Sequence, residues 1–397
     1  MEGNPAWMLI STALVLFMVP GLALFYGGMV RSKNVLNMLN MNTYCLGIVP
    51  LVWVLVAFSL GNNGDGDGLE AFIGNLDALG LKDVKGTDAL IAVAFSMTFA
   101  AITPALIAGA VADRMKFSAW AIFVPVWSIL VYTPVTYWVY TGWHTSLDPE
   151  AIDFAGGTAI HINAGIASLA LVLVLGKRAG WPDQAMPPHN LTFVMLGAGI
   201  LWFGWFGFNA GSAGAANGQA VQALLNTFVA AAAGMIAWLA IERLRDGHAT
   251  TLGGASGVVA GLVAITPAAG YVGGLSPIIF GAVASVACYF AIQLKSKYGY
   301  DDRLDVVGIH MVGGIVGGVL LGFFADASIG GVDGAFFGDA GLVVSQLIAI
   351  VSVMVFSFVV TYAIAKVMDN VMGIRVSDEE EQTGLDQTQH AETAYVD

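Results

Sequence analysis

The sequence predicts an all-α integral membrane protein with eleven transmembrane helices, organised as two inverted five-helix repeats plus one peripheral helix. Of its 397 residues, 57% are hydrophobic and only 11% are charged, whereas about a quarter are charged in an average soluble domain. No Asp, Glu, Lys or Arg occurs between Asn190 and Ile241, or between Ala249 and Leu294. One membrane crossing takes about 20 apolar residues, so each of these two runs has room for two helices.

The same criterion applied to the whole chain predicts eleven spans. They lie near residues 6–30, 37–60, 89–112, 117–141, 154–176, 190–211, 219–241, 251–269, 275–294, 305–325 and 340–367. These spans define a transmembrane domain at 1–368, with repeats at about 6–178 and 190–326 and a last helix at about 340–368. The remaining residues, 369–397, form a predicted cytoplasmic regulatory tail.

Basic residues in the loops predict the orientation. Lys and Arg follow the odd-numbered spans, beginning with Arg31 and Lys33, while the intervening loops hold only Lys82 and Lys85. Cytoplasmic loops carry the excess of Lys and Arg, so the N-terminus is expected outside and the C-terminus inside a cell membrane that the chain crosses many times. The net charge of −13 comes without a basic patch, which argues against a nucleic-acid partner.

A weak internal repeat underlies the predicted architecture. Spans five and ten each contain an Ile-His pair, with the histidines at His161 and His310 and a glycine four residues after each. An aspartate precedes each pair, at Asp153 and Asp305. Because the two segments lie an odd number of spans apart, the two halves have opposite orientations. Transporters built from inverted repeats hold their site at the interface between the repeats.

His161 and His310 are the two histidines that lie well inside apolar spans. An ionisable side chain in the membrane is costly and marks a functional site by default. The alternative is a neutral imidazole that ties two helices together through one hydrogen bond. Two histidines at repeat-related positions favour the functional interpretation, because a facing pair can share one proton and still offer a nitrogen to a small polar solute. A metal site is disfavoured, since no third ligand lies deep in any span.

Aromatic residues form a second pattern, near the outer end of spans three and six. Phe99 lies in span three, while Phe208 and Ser212 lie one helical turn apart in span six. Aromatic faces together with a hydroxyl suit a small cation, although such residues are also common as core or interfacial packing. Asp153 would keep this mouth negative, and it is also a candidate N-cap for span five.

Five motifs, in order along the chain, give the sequence a specific resemblance. They are Ala23-Leu-Phe-Tyr-Gly-Gly-Met-Val-Arg-Ser-Lys-Asn34, Asp153-Phe-Ala-Gly-Gly-Thr-Ala-Ile-His-Ile-Asn163, Trp205-Phe-Gly-Phe-Asn-Ala-Gly-Ser212, Asp305-Val-Val-Gly-Ile-His310 and Gly384-Leu-Asp-Gln-Thr-Gln-His-Ala-Glu-Thr-Ala-Tyr395. The chain resembles the ammonium transporter family (Amt/Mep/Rh), and in particular its bacterial and archaeal Amt branch. The resemblance runs from about Ala6 to Tyr395.

The resemblance implies a homotrimer with one pore through each subunit. Motif by motif, it assigns twin pore histidines to His161 and His310, and a stacked phenylalanine gate to Phe99 and Phe208. It also assigns an external recruitment site to Ser212, Phe99 and Asp153, and pore-lining positions to Leu22, Leu106, Leu201 and Trp205. The chain departs from the family in the loop after span four, where relatives carry a tryptophan and the best match is Tyr140. A Tyr ring attracts cations less strongly than a Trp ring.

The function implied by this resemblance is ammonium transport without a cofactor, a metal or enzymatic chemistry. Ammonium, or methylammonium, would be recruited outside, deprotonated, and passed as NH3 through the apolar pore; whether the proton follows is left open. An apolar pore rejects Na+ and K+, because a bare ion in a low dielectric costs tens of kcal/mol. The alternative function is an ammonium sensor that signals through a cytoplasmic PII-type partner. The tail motif fits regulation by such a partner, or a tail docked between subunits.

Overall fold

A computed structural model describes residues 3–64 and 68–395, and in these residues the fold is helical, with no strand beyond one isolated bridge between Met115 and Arg375. The long helices are α1 Gly3–Met29, α2 Ser32–Asn62, α3 Thr87–Val111, α4 Phe117–Ser146, α5 Gly157–Leu175, α6 Leu191–Gly211, α7 Gly218–Arg245, α8 Thr251–Ile265, α9 Ser276–Tyr298, α10 Val307–Phe324 and α11 Gly341–Met372. Two short helices follow in the tail, α12 Asp378–Thr383 and α13 Leu385–His390.

Ten helices in the described part of the chain are long and apolar enough to cross a membrane. The remaining predicted span, α8, has 15 helical residues and ends at Ile265 rather than near residue 269. Turns follow at residues 266–271, so the predicted end of this span lies beyond the helix. The count of eleven crossings and the orientation of the termini therefore stay predictions.

Glycines let α1 and α6 cross in close contact. A Cβ on Gly21 would lie 2.6 Å from a side-chain atom of Ile200 and 3.3 Å from the backbone nitrogen of Leu201, and one on Gly197 would collide with the backbone nitrogen of Phe25. Such contacts matter in lipid, where packing of small residues replaces the hydrophobic effect as the force between helices.

The crossing of α5 and α10 is reciprocal. A Cβ on Gly165 would lie 2.5 Å from the backbone nitrogen of Met311, which follows His310; one on Gly314 would lie 2.7 Å from the side chain of Ile162, which follows His161. The glycine four residues after each histidine therefore packs against the residue next to the other histidine. The first turns of both helices, Gly157–Ile162 and Val307–Met311, are π-helical and contain the histidines. Single π-turns inside α-helices frequently occur at functional sites.

The aspartate pairing proposed for the repeat is wrong in one half. The structure places Asp302, rather than Asp305, in the position that corresponds to Asp153. Asp302 precedes His310 by eight residues, as Asp153 precedes His161, and it accepts hydrogen bonds from the backbone N–H groups of Val306 and Val307 at the start of α10. Asp305 has a positive φ of 62° and pairs with a lysine. An equal offset from the histidine was the signal available in the sequence.

Charged residues concentrate at one end of the bundle. Asp113 is fully enclosed there and contacts three guanidinium groups, those of Arg303 at 2.9 Å, Arg178 at 3.5 Å and Arg31 at 3.6 Å. Burial alone would raise the pKa of Asp113, but the positive charges of the three arginines lower it to about 2. Because a lowered pKa stabilises the fold above the unfolded value near 3.8, this contribution is lost as the pH falls from about 4 towards 2.

The tail folds back onto this charged end. The Glu381 carboxylate is buried and accepts from Arg375 and from the backbone N–H of Ala179, both at 2.9 Å. Asp386 accepts from the backbone N–H of Asn37 at 2.8 Å, and the Leu385 N–H donates to the side chain of Asn34, also at 2.8 Å. The described part of the tail is therefore docked on its own subunit, while its regulatory role is untested.

Candidate functional site

Two buried histidines meet at the centre of the bundle. The Nδ1 atoms of His161 and His310 lie 3.2 Å apart, and the two rings are nearly parallel, with centroids 5.2 Å apart. A hydrogen bond between two such nitrogens needs one donor and one acceptor, so a single proton lies between the rings. The Nε2 atom of His161 is buried and has no hydrogen-bond partner among the described residues. This nitrogen is available to a small polar solute.

A series of aromatic rings extends from the histidine pair towards one end of the bundle. The ion cluster of Asp113 with Arg31, Arg178 and Arg303 lies at the other end. The Phe208 ring lies 6.0 Å from that of His161 and stacks on Phe99, with centroids 4.3 Å apart and planes inclined by 23°. The Phe95 ring continues the series 4.8 Å beyond Phe99. The structure thus brings together Phe99 and Phe208, which the sequence assigned to one gate, and it adds Phe95.

A small apolar cavity lies beside the histidines. Its volume is about 10 Å³ for the centre of a water-sized sphere, close to the least space that holds one water molecule. Its wall contains both histidines and all four predicted pore-lining positions, Leu22, Leu106, Leu201 and Trp205. Met18, Phe25, Ile102, Phe208 and Val259 complete it. The cavity therefore has room for a molecule no larger than water or NH3.

A hydrogen bond fixes the orientation of Trp205. Its Nε1–H donates to the hydroxyl of Thr266 at 2.9 Å, and its ring lies 5.4 Å from that of His161, nearly parallel to it. Thr266 belongs to an Ile-Thr-Pro sequence at 265–267 that also occurs at 102–104 in α3. Spans three and eight share this sequence, so it marks corresponding points in the two halves. It is a second repeat signal, which the sequence analysis did not use.

Two of the predicted recruitment residues, Ser212 and Tyr140, lie at the ends of helical segments. Ser212 follows α6 directly, and its hydroxyl donates to the backbone oxygen of Phe208 at 2.8 Å. The Ser212 oxygen keeps its lone pairs for a cation. Tyr140 ends its helical segment with 45% of its surface exposed. The ring contacts of Phe99 in the described residues are with Phe95 and Phe208.

Asp153 is a helix cap. One carboxylate oxygen accepts from the N–H groups of Gly156 and Gly157 at 2.9 and 2.6 Å, and the other accepts from those of Thr158 and Ala159 at 2.8 and 2.9 Å. Burial raises the pKa of Asp153, although the four N–H groups act in the opposite direction. The carboxylate of Asp153 is therefore engaged by four backbone donors at the start of α5.

The corresponding cap in the second half has a different environment. Burial and the nearby carboxylate of Asp305 raise the pKa of Asp302 to about 6. Lys295 forms an ion pair with Asp305 at 2.5 Å. The two caps therefore hold their helices in the same way while the charges around them differ.

Known proteins match this chain over nearly its whole length. Residues 6–395 match the family model described as Ammonium Transporter Family. An ammonium transporter of Aquifex aeolicus is 49% identical, over 99% of this chain and 93% of its own length. The crystal structure of Candida albicans Mep2 is similar with a TM-score of 0.89 and 34% identity, over 96% of this chain and 87% of that one. A solved structure described as "Sensor Amt Protein" is similar with a TM-score of 0.92 and 25% identity, over 98% of both chains.

Proposed function

Because the chain belongs to the ammonium transporter family, a family of multi-pass membrane proteins, we propose that it recruits NH4+ outside the cell, deprotonates it and conducts NH3 past His161 and His310. Its relatives are named as transporters, which supports transport rather than catalysis. The observation that carries the proposal is the unpartnered Nε2 of His161 at the cavity of about 10 Å³. An orphaned polar atom costs about 1–3 kcal/mol, and a transported NH3 would relieve that cost.

Selectivity follows from the size and polarity of the path. The stacked rings of Phe99 and Phe208 lie next to the His161 ring, and the wall of the central cavity is apolar apart from the two histidines. K+ and Na+ would have to enter without their hydration shells, at tens of kcal/mol. Ammonium avoids this cost by leaving a proton outside the dry segment.

Recruitment relies on the mouth next to Phe99. The ring faces attract a cation, the Ser212 oxygen accepts one hydrogen bond, and the buried charge of Asp153 favours positive charge nearby. Tyr140 belongs to the same recruitment site, where its ring attracts a cation less strongly than a Trp ring would. Proton release at this mouth, with NH3 continuing inwards, is the step that separates ammonium from alkali ions.

An ammonium sensor is the alternative, and the similarity to the structure described as "Sensor Amt Protein" favours it. A sensor and a transporter can share one fold, so the fold does not separate them. The docked tail fits both: it would report occupancy in a sensor, and it would present a surface for a PII-type regulator in a transporter. A homotrimeric assembly belongs to the proposal in either case.

Uptake by purified protein tests the proposal. Proteoliposomes should accumulate labelled methylammonium faster than protein-free liposomes, and they should not admit labelled K+ under the same gradient. His248→Ala, which changes an exposed loop residue, serves as a matched histidine control. Absence of uptake by a correctly assembled protein would favour the sensor.

A further inference from the structure

A second cavity lies on the other side of the histidine pair, towards the ion cluster. Its volume is about 90 Å³, and Phe25 lines both this cavity and the central one. Ile309, which precedes His310, also lines it. Anything that passes the histidines therefore enters this space before it reaches the cytoplasmic side.

Phe25 holds the position in the first half that Phe208 holds in the second. Each phenylalanine follows a glycine by four residues, Gly21 and Gly204, and both glycines pack against the opposite helix of the α1–α6 crossing. In an inverted repeat, corresponding residues face opposite sides of the membrane. Since Phe208 lies at the outer mouth, Phe25 presents an aromatic surface at the inner one, and the buried Trp238 adds a second.

Polar groups complete the wall of this cavity. Ser256 is only 9% exposed, and its hydroxyl has no hydrogen-bond partner within the described residues. The Glu242 carboxylate lines the same space, held by the N–H of Thr250 at 2.8 Å and the indole N–H of Trp238 at 3.3 Å. Asp305 also faces the cavity but is paired with a lysine, so Glu242 supplies the unpaired negative charge.

We propose that this inner cavity is a binding site for ammonium on the cytoplasmic side, held by Ser256, Glu242 and the rings of Phe25 and Trp238. A tetrahedral N–H donor can bond to the Ser256 and Glu242 oxygens together while its charge faces the rings. The inference rests on the proposed transport function. It gives cytoplasmic ammonium a means to occupy the exit and slow further entry, so the protein is inhibited by its own product.

The test measures one-way influx of labelled methylammonium into proteoliposomes loaded with increasing ammonium, replaced mole for mole by K+ at constant pH. Protease access to the tail determines the orientation of the subunits, and only tail-inside protein is scored. Each protein is compared with its own rate in ammonium-free vesicles. Ser256→Ala is the first variant because it removes no hydrogen bond; Glu242→Gln is the second because the amide oxygen can still accept from Thr250. Glu379→Gln, an exposed tail acid, is the matched control.

Influx into vesicles of the unaltered protein should fall as internal ammonium rises and then level off. Both variants should need about tenfold more internal ammonium for the same inhibition, the factor expected for one lost hydrogen bond to a charged group. Glu379→Gln should follow the unaltered protein. Uptake without internal inhibition, equal curves for Ser256→Ala and the unaltered protein, or equal inhibition by internal K+ would overturn this inference and leave the proposed function intact. Absence of uptake would overturn both.

Discussion

The two histidine-bearing helices meet almost symmetrically, but their surroundings differ. In α5 the cap residue Asp153 accepts four backbone N–H groups and lies near the aromatic mouth. In α10 the cap residue Asp302 accepts two and lies beside the Asp305–Lys295 ion pair. The reciprocal glycine contacts are the same in kind. The backbone geometry that brings the rings together is therefore shared, whereas the charges are specific to each end.

The comparison distinguishes the features that position the two histidines from the features that set the charge at each end of the bundle. The histidine contact depends on two helices approaching closely, and both halves supply that through Gly165 and Gly314. In the proposed function, a cation is attracted by charge and aromatic surface at the end of the bundle that holds Asp153, Phe99 and Phe208. The charged end holds ion pairs that dock the tail, such as Arg375 with Glu381. Among the described residues, the end with the aromatic mouth has no comparable docked segment.

Removing both histidines should have the largest effect. His161→Ala combined with His310→Ala leaves the cavity without a polar group for NH3. A factor of ten corresponds to about 1.4 kcal/mol, and we expect methylammonium uptake to fall by more than this factor. A single His310→Glu should retain part of the uptake and admit more K+, because a fixed negative charge lowers the barrier to cations. Labelled uptake and K+ current at equal protein amounts measure both.

The double-Ala variant would contradict this prediction if it were less stable but conducted ammonium at the normal rate per molecule and with unchanged selectivity. In that case the histidines would serve only to join α5 and α10. The His248→Ala protein provides the baseline for stability and rate.

Asp153 should have the next largest effect, and it tests whether the caps are equivalent. Asp153→Ala leaves four buried N–H groups without an acceptor, at about 1–3 kcal/mol each, and should nearly abolish uptake. Asp153→Glu should rescue it in part. Asp153→Asn removes the charge and keeps only one oxygen that can accept hydrogen bonds, so two of the four N–H groups lose their acceptor. We expect a protein that is destabilised less than Asp153→Ala, with reduced uptake, especially at low methylammonium.

The same amide substitution at Asp302 provides the contrast. Because Asp302 lies away from the external mouth, Asp302→Asn should affect uptake at low methylammonium less than Asp153→Asn. Equal losses in the two variants, measured as initial rate against external concentration, would show that both aspartates act only as caps. Thermal unfolding of each variant separates a stability defect from a transport defect.

Sequence patterns predicted much of this arrangement because they are local. His161 and His310 were found because an ionisable residue inside an apolar span is a local signal. The stacking of Phe99 and Phe208, which lie on different helices, was expected only from the family resemblance. Matching Asp153 with Asp305 failed because two aspartates, Asp302 and Asp305, closely precede His310. The cap of α10 is the one whose carboxylate meets the free N–H groups, and this is Asp302. Hydropathy did not predict the early end of α8, because the apolar sequence continues past Ile265 to Ala269.

Enlarging the two glycines should have a moderate effect and tests the symmetry directly. The added methyl of Gly165→Ala meets a backbone nitrogen, and that of Gly314→Ala meets a side chain that can move. Overpacking of this kind costs about 1–3 kcal/mol, with Gly165→Ala the worse of the two. Gly199→Ala is the control, since nothing lies within 4 Å of its Cβ. If neither variant differs from it in unfolding temperature or uptake, close approach is not what positions the histidines.

Deleting residues 384–397 should have the smallest effect on the pore, because the contacts of the described part of the tail lie at the charged end. The deletion removes the bonds from Leu385 to Asn34 and from Asn37 to Asp386, but it leaves Glu381 paired with Arg375. We therefore expect normal membrane insertion, a change in uptake rate within about tenfold, equivalent to about 1.4 kcal/mol, and weaker binding of a PII-type protein. Uptake by proteoliposomes and co-purification with the regulator measure the two effects, with Glu379→Gln as the control. A truncated protein that matches the control in both would show that this part of the tail is a passive cover. The inner end would then differ from the outer one in its ion pairs but not in regulation.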